Sequence, residues 1–348
     1  MTPRTADQAL AVHEPLTTKE GWRRFIDDID PAMPATSTAE MPGDEELRLT
    51  YHGKLAVVAT PTVQQVTLTG RRLMVLNRHQ ISARRGLIVT GVAGTGKTTA
   101  IIQLGRAHEL GQRRRLPADA NRLPVVYVTV PPAATPRMLA VEFARFLGLP
   151  VTARSNITDV TEAVCDVLGR CGCELVIVDE IHNLNLATRA GAEVSDQLKY
   201  FSERLPATFV YAGIDVARGG LFTGTRGAQI ASRFATITTI GFANGSREQR
   251  RDWQALIATL EATLRLRRHR PGTLVDVADY LHQRTAGMIG SLSHLIRGAA
   301  IDAIVTGQEE ITRAGLDAVK LDHAAEHHHP AATTRTGRGS RRAGAGVA

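Results

Sequence analysis

The sequence predicts an α/β fold: a five-stranded parallel sheet flanked by helices, followed by a small helical lid domain. Three observations carry this. Five short runs rich in β-branched and apolar residues occur at 86–90, 125–130, 175–179, 208–211 and 236–240, the composition of strands buried on both faces. Helical patterns separate most of them, at 98–110, 135–147 and 158–168, and such alternation builds parallel sheets. After Gly241 the strand-like runs stop, and 247–264, 273–283, 289–305 and 311–319 read as four helices.

The remaining segments follow from composition. Residues 1–50 hold five Lys/Arg against ten Asp/Glu and are interrupted by Pro31, Pro34 and Pro42. They are expected to form an acidic, largely flexible arm. One amphipathic helix is expected within it at 18–28, with Trp22, Phe25 and Ile26 at helical spacing. A helix that short is marginal alone in water, so its apolar face needs a partner or the main domain. Residues 51–245 form the expected α/β domain, led by a helix at 62–76 with Val63, Val66, Leu73 and Leu76 on one face. Residues 246–322 are the lid, and 323–348, mostly Gly, Ala, Thr, Arg and His, are expected to be a disordered basic tail.

Composition narrows the class. The 348 residues are 43% hydrophobic and 22% charged, ordinary for a globular protein, and only 4% aromatic, which predicts an aliphatic core. No apolar run approaches the ~20 residues that span a bilayer, and the first ten residues lack the basic and apolar pattern of a signal peptide. No membrane is expected. Three cysteines, Cys165, Cys171 and Cys173, suit a reducing cytoplasm better than a disulfide framework. The net charge of +8 divides into −5 for residues 1–50, +3 for 324–348 and +10 for 51–323. Two readings fit a basic body: a polyanionic partner such as DNA, or an arginine-rich surface from a GC-rich genome.

The first strand runs into Gly91-Val-Ala-Gly-Thr-Gly96-Lys97-Thr98 and then a helix. This matches both the G-x-x-x-x-G-K-[ST] spacing and the strand–loop–helix context that spacing requires. Glycines let backbone N–H groups curl around a phosphate, and the helix N-terminus adds a favourable field. The expected cradle is Gly91, Gly94, Thr95, Gly96, Lys97, Thr98 and Thr99. Lys97 is expected on the β- and γ-phosphates of ATP, and the Thr98 hydroxyl on Mg2+. Further on, Leu175-Val-Ile-Val-Asp179-Glu180 is a buried strand ending in two carboxylates. Asp179 is expected to hold the magnesium and Glu180 to polarise the attacking water. A protein that only binds ATP has no need of Glu180, so hydrolysis to ADP and phosphate is expected. His182 and Asn183 follow; either they relay nucleotide state or they satisfy a loop.

These motifs, with the extra strand at 125–130 between them, resemble the AAA+ ATPases, P-loop proteins whose sheet is followed by a helical lid. The resemblance implies a sensor at the end of the 208–211 strand. Ile214 stands where a polar sensor often sits, so the role passes to Asp215 or is weak. Gln229-Ile-Ala-Ser-Arg233-Phe234 looks like the arginine-finger segment, in which Arg233 would complete a neighbouring subunit's site; the other reading is a surface arginine at a helix end. No lid arginine is evident in Gly287-Met-Ile-Gly-Ser-Leu-Ser-His294, and Arg297 lies one turn beyond the expected place.

A closer resemblance, over residues 50–320, is to the TniB-like and TnsC-like transposition ATPases. It rests on Ala59-Thr-Pro61-Thr62, the phosphate loop, Val128-Thr-Val-Pro131 with Thr135-Pro-Arg137, Val178-Asp-Glu-Ile-His182-Asn183, and Gly287-Met-Ile-Gly290. It implies a homo-oligomer that assembles on double-stranded DNA without sequence preference and regulates or recruits a transposase or integrase. Arg137 and Arg154 are the DNA candidates it implies, ahead of the denser runs 113–115 and 265–270. Two other functions fit the core: a nucleotide-switched signalling or scaffold ATPase without DNA, and a helicase loader.

Overall fold

Five strands pair side by side, all parallel: β1 Gly86–Gly91, β2 Val125–Thr129, β3 Leu175–Asp179, β4 Thr208–Gly213 and β5 Phe234–Thr239, in the order β2-β3-β4-β1-β5. The computed structural model describes residues 14–28, 43–54, 57–116, 121–184, 189–216 and 232–328. β1 lies between β4 and β5, with Leu87 level with Val210 and Ala235. Consequently the loop after β1 and the acidic end of β3 emerge at the same carboxyl edge, one strand apart. The last strand begins two residues earlier than its pattern indicates, because Gly86 pairs with Phe234.

Helices α3 Pro61–Asn77, α4 Lys97–Arg115, α5 Pro136–Leu147, α6 Ile157–Arg170 and α7 Arg189–Arg204 flank the sheet. Two Thr-Pro pairs noted in the sequence prove to be helix starts. The Thr60 and Thr135 side chains accept from Val63 N and Met138 N, and the prolines take the first helical position, where their fixed φ and missing N–H cost nothing.

Of the two options for the apolar face of the helix expected at 18–28, the structure shows the main domain. Helix α1, Lys19–Asp27, is docked on the sheet domain: Trp22 is fully buried and stacks on Tyr127 of β2 at 6.1 Å. Gly105 of α4 makes the room, since a Cβ there would meet Trp22 at 2.7 Å. Burying an indole gives at most about 5 kcal/mol of gross transfer free energy, which offsets the marginality of a nine-residue helix.

Helix α2, Asp44–Gly53, carries the expected boundary at residue 51 inside it and packs on the lid. Arg48, 2% exposed, makes two bonds to Glu309 at 2.8 and 2.9 Å and one to Asp44 at 3.0 Å. His52 accepts from Arg265 N at 3.1 Å, and burial, reinforced by Arg265 and Arg48, pulls its pKa down to about 4.

The lid consists of α8 Arg247–Ala262, α9 Thr273–Asp276, α10 Ala278–Thr285, α11 Ile289–Val305 and α12 Arg313–Ala318 around a second apolar cluster that includes Trp253, Leu281 and Leu295. The expected helix at 273–283 is two short ones, broken at Val277. Of the tail expected to be disordered, His323–His328 form α13, where Ala325 is buried and Glu326 pairs with Arg284. The rest of the tail lies outside the described residues. No single helix among the described residues is long and apolar enough to cross a membrane.

Candidate nucleotide site

The loop after β1 is built to hold an anion. Gly91 has φ 147°, and a Cβ on it would lie 2.1 Å from Thr239 O, so only glycine lets β1 and β5 close beneath the loop. Gly94 and Gly96 take the left-handed φ values 77° and 85°. Thr95 Oγ1 bonds Val92 O at 2.9 Å and Thr239 Oγ1 at 2.7 Å, pinning the loop to β5. Gly96 caps α4, so Lys97, Thr98 and Thr99 form its first turn, where backbone N–H groups have no partner in the helix.

Lys97 is 8% exposed and donates to Val92 O at 2.7 Å. Burial lowers its pKa, while Asp179, Glu180 and Asp215 oppose the shift. The buried ammonium is folded onto a loop carbonyl, with Asp179, Glu180 and Asp215 near enough to act on its charge.

The second half of the site comes from the end of β3. Asp179 Oδ2 accepts from Thr98 Oγ1 at 2.9 Å and from Tyr127 OH at 3.0 Å, and Oδ1 from Glu180 N at 2.8 Å. The two residues nominated for magnesium are therefore in direct contact, although 81 positions apart in the chain. A hydroxyl beside a carboxylate is the hard-oxygen donor set that Mg2+ accepts. Glu180 takes φ 58°, ψ 33°, a left-handed conformation costly for a residue with a side chain and typical of functional sites. It leads into the short 3-10 turn Ile181–Asn183, where Asn183 Nδ2 donates to Val130 O at 2.8 Å, satisfying a loop carbonyl.

A cleft of about 450 Å3 runs from these residues outward. The chain before α3 supplies Val57, Val58 and Thr60, the first turn of α3 supplies Val63, and the lid supplies Leu260, Ile289 and Arg297. Lid and phosphate loop touch directly: Gly290 N donates to Gly94 O at 3.0 Å. This contact gives the lid Gly-x-x-Gly segment a physical role. Arg297, one turn beyond the expected place, does line the cleft, and its Nε donates to His52 O at 2.9 Å. Asp215, in the left-handed region at φ 43°, lies near enough to act on Lys97, whereas Ile214 meets the cleft.

The other nominated arginines sit elsewhere. Arg233 immediately precedes β5, at the amino edge of the sheet, with Glu203 Oε1 at 3.9 Å. It borders a second cavity of about 300 Å3 together with Arg84, Arg85 and Lys199. Gln229 to Ala231 lie outside the described residues. Arg137 is half-buried and turned onto a surface loop: it donates to Thr152 O at 2.9 Å and Ala153 O at 3.2 Å, and also bonds Ser155 O. It braces the loop on which Arg154 is exposed, so the two arginines that the sequence treats alike differ in kind.

Sequence reasoning missed Tyr127, Thr239 and the wall before α3. Tyr127 left one trace, a lone hydroxyl in the apolar run Val125-Val-Tyr-Val.

The family model described as bacterial TniB protein matches residues 58–244, more than half of the chain. The chain belongs to the TniB family. The match covers the phosphate loop, β3 with its carboxylates, and Arg233, and stops where the lid begins. No curated protein matches the chain. Among solved structures, the ORC1 protein of Aeropyrum pernix in complex with DNA is similar at 16% identity and TM-score 0.57, over 80% of this chain and 66% of that one. The ORC2 protein of the same organism, in ADPNP–ADP complexes, is similar at 16% identity and TM-score 0.56, over 73% and 65%. The TniB family chain thus spans just under two thirds of each. At such identities the likeness is one of fold, and the fold is that of the AAA+ P-loop ATPases.

Proposed function

We propose that this TniB family chain binds ATP with Mg2+, hydrolyses it, assembles as a homo-oligomer on double-stranded DNA, and in that form regulates or recruits a transposase or integrase. The observation that carries the reading is the contact of Thr98 with Asp179 beside a buried Lys97, at the mouth of a cleft walled by the lid. Lys97 and the N–H groups of the α4 first turn hold the phosphates. Thr98 and Asp179 would hold the magnesium, which when bound neutralises charge on the phosphate oxygens. Glu180, fixed at the end of β3, takes the role of orienting and polarising the attacking water. Arg233, at the opposite edge of the sheet, would serve a neighbouring subunit's site.

The body charge of +10 and the exposed Arg154 support contact with phosphates, hence binding indifferent to sequence. Fluorescence anisotropy of a labelled duplex across a salt series tests this. Affinity should require ATP and fall with salt at a log–log slope of about −0.9 per phosphate neutralised. Arg154→Ala should flatten the slope and weaken all sequences alike, with ATP binding intact. No affinity at low salt with ATP would replace this reading by a nucleotide-switched scaffold acting on protein partners.

A further inference from the structure

We propose that His182 is a positioning residue for Glu180: its imidazole links the carboxylate to the end of β4 and holds it at one angle toward the cleft. The inference rests on the hydrolytic reading above. Two contacts define the link. Ile214 N donates to His182 Nδ1 at 3.3 Å, and His182 Nε2 faces Glu180 Oε2 at 3.2 Å. A backbone N–H can only donate, so Nδ1 is the acceptor, and in the neutral ring the proton is on Nε2. That nitrogen, 3.2 Å from Oε2, is then the donor available to Glu180. The tautomer is set at one end of the ring and used at the other.

The backbone makes the link short and stiff. The left-handed turn at Glu180 and the 3-10 turn after it bring side chains 180 and 182 together. Ile181 between them is buried against the end of β4: a Cβ on Gly213 would meet Ile181 Cγ2 at 2.8 Å and His182 N at 3.0 Å. Ile214, Glu180 and His182 all line the cleft that holds Lys97. A displacement of the β4 end is therefore passed through the ring to the carboxylate. Ile214, which has no polar side chain to offer, contributes through its N–H. Asn183, by contrast, is spent on Val130 O and stays outside the link.

Three substitutions separate the two ends of the ring. Gln carries an amide donor near the Nε2 position but no acceptor near Nδ1; Asn carries an acceptor near Nδ1 but cannot reach Glu180; Ala carries neither. Turnover and calorimetric ATP affinity are measured for each, beside Glu180→Gln. Histidine 15N–1H spectra are recorded on the labelled full chain, the His182 signal being the one lost in His182→Gln. The expected result is a loss in kcat of about 10–100-fold for His182→Ala and His182→Asn, the cost of a misplaced catalytic group. KM and ATP affinity should stay within about threefold, His182→Gln should recover most of the turnover, and the His182 signal should show the Nε2–H tautomer. Recovery by Asn instead of Gln would overturn the proposal, reducing His182 to a brace for β4. So would an Nδ1–H tautomer, or full turnover in His182→Ala while Glu180→Gln is inactive. Full turnover in Glu180→Gln would remove the hydrolytic role of Glu180 itself, and the proposal with it.

Discussion

The two edges of the sheet carry cations of the same charge and hold them in opposite ways. At the carboxyl edge Lys97 is 8% exposed, folded onto its own loop and faced by Asp179 and Glu180. At the amino edge the Arg233 side chain is 36% exposed, and its partner Glu203 is 3.9 Å away. The six residues of β5 separate these edges, about 16–20 Å at the rise of a strand, so Arg233 cannot reach the phosphates its own Lys97 would hold. The difference teaches how the proposed function would divide the work: one cation is buried at its own loop, and the other stands on a face that a second copy of the chain would use.

The sharpest way to break this comparison is Lys97→Ala. Removing the buried ammonium should reduce ATP affinity by at least about 100-fold, since charge-assisted bonds to phosphate are worth about 1.5–3 kcal/mol each. Calorimetry reads it, and undiminished affinity would mean that the carboxyl edge is not the nucleotide site. Next is Glu180→Gln, which keeps size and hydrogen bonding but loses the charge. ATP should still bind, while turnover falls by about 10²–10³.

A smaller effect is expected at the seam between α2 and the lid, which belongs to neither edge. His52 is held neutral with a pKa of about 4 against 6.5 for the free side chain. The unfolded chain therefore takes up a proton that the folded one resists, and stability falls as pH drops from about 6.5 toward 4, by up to about 3 kcal/mol. Thermal unfolding of wild type and His52→Gln at pH 7 and pH 5 checks this. The wild type should lose more stability between the two, and turnover per folded molecule should be little changed. An equal loss in both would show that His52 does not carry the pH dependence.

How much of this was legible in the sequence depends on how local the cause is. The phosphate loop and the Asp179-Glu180 strand end could be read because glycine spacing, strand and helix lie within a few residues of one another. Two Thr-Pro starts were visible for the same reason, although their capping role came from the structure. The surfaces that the arm meets were not legible: Trp22 meets Tyr127, and Arg48 meets Glu309 at a separation of 261 residues. The acidic composition of residues 1–50 says nothing about either contact. Arg137 and Arg154 show the limit at short range too. Both stand near helix starts, but Arg137 is turned onto backbone carbonyls and Arg154 outward, a choice made by the 152–155 loop and not by composition.

The central claim, that the amino edge of one copy completes the carboxyl edge of the next, is tested most directly by mixing two inactive variants. Arg233→Ala should bind ATP normally yet lose turnover, within the range of about 10³–10⁵ attributed to such arginines, and Glu180→Gln damages the other side of the same junction. A mixed pair that joins the Glu180 side of an Arg233→Ala subunit to the Arg233 side of a Glu180→Gln subunit contains one intact site. ATPase activity of the mixture should therefore rise well above the sum of the separate variants, peaking near equal proportions. Activity no greater than that sum, with a monomeric mass under ATP, would contradict the account.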